Sequence, residues 1–232
     1  MVAASRVPEL APGEVHAWRF SLAANASADP ALELPADELA RAGRFVFERD
    51  RRRFLRAREA MRTLLGAYLA LEPQALEIFY GPQGKPFVDP RYGLGFNMSH
   101  SGEHGLIAIS RQPHVGVDIE ELSAREGLRA LADSVFSPAE RDAIAAVPEA
   151  GLAAAFYNAW TRKEACLKAL GMGLAVEPNA VHVGLGSARD WVRLPGASEE
   201  IEVASLFEDE SCSAALAVAG GYTRFRMLHW MP

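Results

Sequence analysis

Val115-Gly116-Val117-Asp118-Ile119-Glu120 is the stretch on which the fold of this chain turns. Branched apolar residues alternate there with small and acidic ones, the period of a strand that buries one face. Asp118 and Glu120 then project from one side, while Val117 and Ile119 enter a core on the other. Forty-four residues beyond Gly116 begins Trp160-Thr161-Arg162-Lys163-Glu164-Ala165-Cys166-Leu167-Lys168, part of a predicted helix over 151–170 that stops at Gly171-Met172-Gly173. Phe156, Trp160 and Leu167 fall within roughly 40° of each other on that helix, and Glu164 and Lys168 lie one turn apart on the adjoining flank. If strand and helix meet, Asp118, Glu120 and Glu164 beside Lys168 suit a hard cation that grips a diphosphate through oxygen ligands. Taken singly, each segment has an ordinary reading: an exposed Glu–Lys pair worth about 0.3–0.5 kcal/mol, or a strand end in water.

Upstream, Val15 to Leu22 alternates as a first strand. From Ala36 to Leu71 the pattern is helical, with Phe54, Met61, Leu65, Tyr68 and Leu69 forming an apolar stripe and arginines on its flanks. Glu72-Pro73 ends that helix, residues 76–80 read as a strand, and Gly81-Pro82-Gln83-Gly84-Lys85-Pro86 is a turn by composition. Lys85 has little helical or strand role there, so it reads either as a phosphate contact or as a plain turn lysine; the spacing of a P-loop is absent. Two short apolar runs, 94–98 and 105–110, flank the corner Ser99-His100-Ser101-Gly102-Glu103-His104, whose hydroxyl, imidazole and backbone amides could hold phosphate oxygens. Downstream, residues 125–133 read as helix, and Ser137-Pro138-Ala139-Glu140 starts another with a capping box. Alternation at 191–194, 201–206 and 214–219 predicts strands. Helix plus strands of similar size stand on each side of residues 111–115, which places a subdomain boundary there.

At 232 residues and half apolar, the chain can fill a core of its own. Its net charge of −6 argues against nucleic acid as a partner. Between Arg41 and Arg62, however, nine arginines face only Glu48, Asp50 and Glu59, a local balance of +6, which suits a compact polyanion or a solvated helix face. Two cysteines, Cys166 and Cys212, provide neither a disulfide framework nor a cysteine-based zinc site. No signal-like apolar run opens the chain, and no stretch approaches the roughly 18 apolar residues of a membrane span. A soluble, cytoplasmic protein is expected.

Taken in order, Gly84-Lys85-Pro86, Phe96-Asn97-Met98-Ser99-His100-Ser101, Val115 to Glu120 and Phe156 to Lys168 resemble the signature blocks of 4′-phosphopantetheinyl transferases of the surfactin-synthetase-activating (Sfp) type. The similarity covers approximately residues 36–175. It implies an α/β fold of two similar subdomains, 1–113 and 114–232, packed as an intramolecular pseudo-dimer with the active site in the cleft, and hence a monomer. It implies transfer of the phosphopantetheine arm of coenzyme A to a serine of an apo acyl or peptidyl carrier protein, with Mg²⁺ (or Mn²⁺) on the diphosphate and release of adenosine 3′,5′-bisphosphate. Carried across, Asp118, Glu120 and Glu164 ligate the metal, Glu164 or a metal-associated water takes the serine proton, and Lys168 stabilises the breaking diphosphate. Lys85 and Ser99 hold phosphate oxygens, while His100, Arg53 and Arg41 surround the 3′-phosphate. Glu38 departs from the pattern, standing where related chains often carry a basic residue one turn before Arg41. The competing reading is a metal-dependent hydrolase of nucleotide or coenzyme A diphosphates, which would use the same groups with water as acceptor.

Overall fold

The computed structural model describes residues 7–23, 33–123, 127–186, 188–208 and 211–231. Strand β1 (Glu14–Ser21) is followed by α1 (Ala36–Ala42) and the long α2 (Glu48–Leu69). The single helix expected over 36–71 is thus two, broken at Gly43 to Phe47. A two-residue hairpin, β2 (Phe79–Tyr80) and β3 (Pro86–Phe87), encloses the predicted turn and leads to β4 (Gly95–Ser101) and β5 (His104–Ser110). The corner at 99–104 is therefore mostly strand, turning only at Gly102-Glu103.

The second half comprises β6 (Val115–Glu121), α3 (Leu128–Val135), α4 (Pro138–Ala146), α5 (Glu149–Leu170), β7 (Asp190–Val192), β8 (Ile201–Glu208), β9 (Cys212–Ala219) and β10 (Arg224–His229). Residues 125 and 126 of the helix expected over 125–133 lie outside the described residues. The capping box is present: the Glu140 amide donates to the Ser137 hydroxyl, and the Ser137 amide to the Glu140 carboxylate.

Two four-stranded sheets result, β10-β1-β5-β4 and β6-β9-β8-β7. Helix α2 covers the outer face of the first through Ala57, Met61, Leu64 and Leu65. Helix α5 covers the outer face of the second through Ala165, Cys166 and Ala169. Val15, Ala17, Leu106 and Ala108 of one sheet pack against Val117, Ile119, Ala214, Leu216 and Val218 of the other. The chain is thus a mixed α/β protein of two subdomains, layered helix, sheet, sheet, helix. One feature departs from the division at 113/114: β10 crosses back to pair parallel with β1, Glu14 opposite Arg224, so the first sheet is closed by the chain's last strand. Its sequence, Arg-Phe-Arg-Met-Leu-His, carries arginine at its first and third positions, and it is not among the strands named from the alternation of the tail.

Candidate active site

Helix α5 reaches β6 because Gly116 lets it. Gly116 shares the face of Asp118 and Glu120, and a Cβ on it would lie 2.1 Å from the Ala165 carbonyl oxygen and 2.4 Å from the Ala169 amide nitrogen. Backbone-to-backbone contact at that point brings the same two turns of the helix, where Glu164 and Lys168 immediately precede Ala165 and Ala169, against the two strand carboxylates. Lys168 Nζ donates to Asp118 Oδ1 at 2.5 Å and to Ser99 Oγ at 3.0 Å, and Ser99 Oγ donates to the same Oδ1 at 2.7 Å.

Ser99 arrives from the other sheet. On β4, Asn97, Ser99 and Ser101 alternate on the face toward β6 and use side chains where a paired strand would use backbone. Asn97 Oδ1 accepts from the Val117 amide at 2.9 Å; Ser101 Oγ donates to Glu120 Oε2 at 2.7 Å and accepts from the Glu121 amide at 3.1 Å. The polar seam ties the sheet edges together and aims the carboxylates. Sequence reading missed Asn97 and Ser101, although their two-residue spacing around Ser99 was the available signal.

The carboxylates crowd one another. Burial and then the Asp118 charge push the Glu120 carboxyl above the ordinary carboxylate range, against the opposing pull of Ser101, Lys168 and the Trp160 indole. Glu164 is likewise raised, by burial first; the Lys168 charge opposes, and Asp118 and Glu120 add to the rise. Asp118 Oδ2 is buried without a hydrogen-bond partner. Among the described residues, no three His, Cys, Asp or Glu side chains are arranged as a ready metal cage. What converges is an all-oxygen donor set with surplus negative charge and an orphaned carboxylate oxygen, and this fits a hard divalent cation by charge and donor type.

Comparison with known proteins gives the family. The family described as the 4′-phosphopantetheinyl transferase superfamily matches residues 114–214, and the N-terminal region of 4′-phosphopantetheinyl transferases matches residues 18–112. The 4′-phosphopantetheinyl transferase HetI of Nostoc sp. is 38% identical over 215 residues, covering 89% of this chain and 88% of its own length. The chain belongs to the 4′-phosphopantetheinyl transferase family. A phosphopantetheinyl transferase of Thraustochytrium sp. is 33% identical over 182 residues, 70% of this chain and 63% of its own. The 4′-phosphopantetheinyl transferase of Bacillus subtilis is 29% identical over 178 residues, 72% and 78% respectively.

The transferase places its remaining expected residues unevenly. His100 alternates to the opposite face of β4 from Ser99, the side that α2 covers. Its pKa is lowered by desolvation and then by the Lys168 and Arg53 charges, so imidazole, guanidinium and ammonium share one electropositive corner. Arg41 is exposed, with its guanidinium 5.4 Å from the Phe54 ring centre, in the region of Asp37, Arg44 and Phe45. Glu38 is no part of a phosphate pocket: it is buried, bonded to Arg58 and to Arg62 at 2.9 Å, and these arginines hold its carboxyl below the ordinary range despite burial. Lys85 differs from the expected phosphate contact, because its ammonium donates to the Val115 carbonyl at 3.0 Å and the Ala169 carbonyl at 2.6 Å.

Two motif residues on α5 face inward. Lys163, fully buried, donates to Glu140 at 2.7 Å and to the Pro178 and Val181 carbonyls. Arg162 donates to the Ala188 carbonyl at 3.0 Å. They moor the 178–188 segment to the back of α5, so the helix is held from behind as well as by Gly116 in front.

Proposed function

We propose that this transferase moves the 4′-phosphopantetheine arm of coenzyme A onto a serine hydroxyl of an apo acyl or peptidyl carrier protein. The observation that carries this reading is the meeting of β4, β6 and α5, where Ser99, Asp118 and Lys168 form one hydrogen-bonded cluster with Glu120 and Glu164 beside it.

Asp118, Glu120 and Glu164 would hold Mg²⁺, which when bound neutralises diphosphate charge and polarises the phosphorus to be attacked. Arg53 and His100, with Arg41 at the rim, suit the 3′-phosphate, since two of them already share one positive corner. Ser99 and Lys168 orient the diphosphate. The serine oxygen bonds to the β-phosphorus as the bond to the bridging oxygen breaks; the pantetheine phosphate stays on the carrier and adenosine 3′,5′-bisphosphate leaves. Glu164, one helical turn from Lys168 and beside the two strand carboxylates, takes the serine proton. Lys168 offsets charge developing on the leaving phosphate. Both subdomains contribute to this one site, consistent with a single chain as the working unit, in the cytoplasm where coenzyme A and carriers meet. Among the described residues no helix is long and apolar enough to cross a membrane.

The test is incubation with coenzyme A and Mg²⁺, with and without apo carrier. Carrier gaining the mass of one phosphopantetheine is the expected result. Diphosphate cleavage at equal rate without carrier would establish the hydrolase reading instead.

A further inference from the structure

Lys85 closes the turn 81–85, whose Gly81 amide donates to the Lys85 carbonyl at 2.9 Å. Its stem lies along Gly171, the left-handed cap of α5, where an added Cβ would come within 3.1 Å of Lys85 Cδ. The ammonium crosses the subdomain boundary and donates to two backbone oxygens. One belongs to Val115, the first residue of β6 and three before Asp118. The other belongs to Ala169, next to Lys168 in the last turn of α5, where carbonyls lack helical partners and the helix dipole is negative.

We propose that Lys85 is a positioning residue, whose ammonium locks the end of α5 to the start of β6 and so sets Glu164 and Lys168 against Asp118 and Glu120. Two of the three ammonium donors are spent on these carbonyls, at distances of 3.0 and 2.6 Å. Burial lowers the Lys85 pKa to about 8 with no carboxylate opposing it. A half-buried ammonium satisfied by uncharged carbonyls at the ends of two elements implies that the tie itself is what the position provides. The lock complements Gly116: glycine permits the close approach of the two elements, and Lys85 fixes their relative position along the strand.

This inference rests on the transferase reading above for its activity measurement, but coenzyme A binding and amide exchange test it independently of that reading. Lys85→Met removes the charge and keeps the stem; Lys85→Arg keeps the charge. Expected for Lys85→Met is a kcat lower by about tenfold to a hundredfold, the scale of a small misplacement of catalytic groups. Its Kd for coenzyme A by calorimetry should stay within about twofold of wild type. Exchange of the Gly171 and Met172 amides, which cap α5 on Lys168 and Leu167, should quicken. Lys85→Arg should recover kcat and slow exchange. Should Lys85→Met not fold, Lys85→Gln, which still donates to one carbonyl, is read by the same measurements. An unchanged kcat overturns the proposal, and so does a coenzyme A Kd weakened tenfold or more in a neutral variant whose Gly171 and Met172 exchange is unchanged, since that marks a phosphate ligand and no tie between α5 and β6.

Discussion

Glu164 is asked to be an anion in a place that resists one. Its pKa is raised by burial first; the Lys168 charge opposes without cancelling the rise, and Asp118 and Glu120 add to it. The folded state therefore binds its proton more tightly than the unfolded chain does, and ionisation above the ordinary glutamate range costs stability. Glu164→Gln should accordingly raise the melting temperature of the metal-free protein at pH 7, by about 2–4 °C per kcal/mol of relieved repulsion. The difference should vanish as the pH falls below 4.5, the ordinary value, where the wild-type carboxyl is protonated too. The same variant should lose roughly 10²–10⁴ in turnover and most of the stabilisation that Mg²⁺ confers on wild type. A lower metal-free melting temperature at pH 7 would show that the crowding is not felt. Asp118 and Glu120 were legible because a strand repeats every two residues and shows which side chains share a face. The role of Lys85 was not legible, because its carbonyl partners lie 30 and 84 positions away and any residue type supplies a carbonyl.

At the scale of elements, α5 on β6 is the critical contact. Gly116→Ala puts a methyl into the helix backbone, which cannot yield as a flexible side chain could. A loss of at least about 1–3 kcal/mol is expected from overpacking, with turnover falling further than stability alone explains; a folded, fully active Gly116→Ala protein at 25 °C would refute the close-approach argument. From behind, the helix depends on the Lys163–Glu140 pair. Burial alone would raise the Glu140 pKa, but Lys163 and the Val183 and Ser137 amides outweigh it and hold the carboxyl below its ordinary value. Its contribution is therefore present above that value and is lost as the pH falls through the depressed folded one. Glu140→Gln should cost about 3–5 kcal/mol near neutrality, the penalty for stranding a buried partner charge, and the gap to wild type should close in acid denaturation. The capping box around Glu140 was readable from Ser137-Pro138-Ala139-Glu140, since every partner in that motif is local. The break in the helix at 43–47 had one local signal, Gly43, which caps α1, but no proline follows it in Arg44, Phe45, Val46 and Phe47, and the contacts of Glu38 with Arg58 and Arg62 of α2 that accompany the break are not local.

For the whole molecule, the uneven charge sets long-range behaviour. Of the nine arginines between Arg41 and Arg62 in this chain of net charge −6, Arg56, Arg58 and Arg62 are buried on Glu59 and Glu38, so the other six supply the positive region that the proposed coenzyme A substrate would meet on a negative protein. Raising ionic strength from about 50 to 500 mM should weaken coenzyme A binding several-fold, and dephospho-coenzyme A, which lacks the 3′-phosphate, less steeply. Identical slopes for the two ligands would separate Arg53 and His100 from that phosphate. Two similar subdomains packed as a pseudo-dimer were implied by the family resemblance, and the two halves by their similar content of helix and strand; the layering of helix, sheet, sheet, helix was not legible. The strand that stitches them was hidden, because β10 alternates arginine with apolar residues as a solvated edge does.

That strand also dictates an order of events during synthesis. Glu14 must wait for Arg224, 210 residues later, before its side of the first sheet is covered, while β5 reaches β1 after fewer than one hundred. Until then the nascent chain displays β1 as a bare edge, open to pairing with any other extended segment. The second subdomain must fold with its own exit strand still unplaced, tethered only by the short turn Gly220-Gly221-Tyr222-Thr223. The halves are therefore coupled in time as well as in space: the second sheet gains β9 beside β6 before β10 can reach β1, so the site strand is framed on a molecule that has not yet closed.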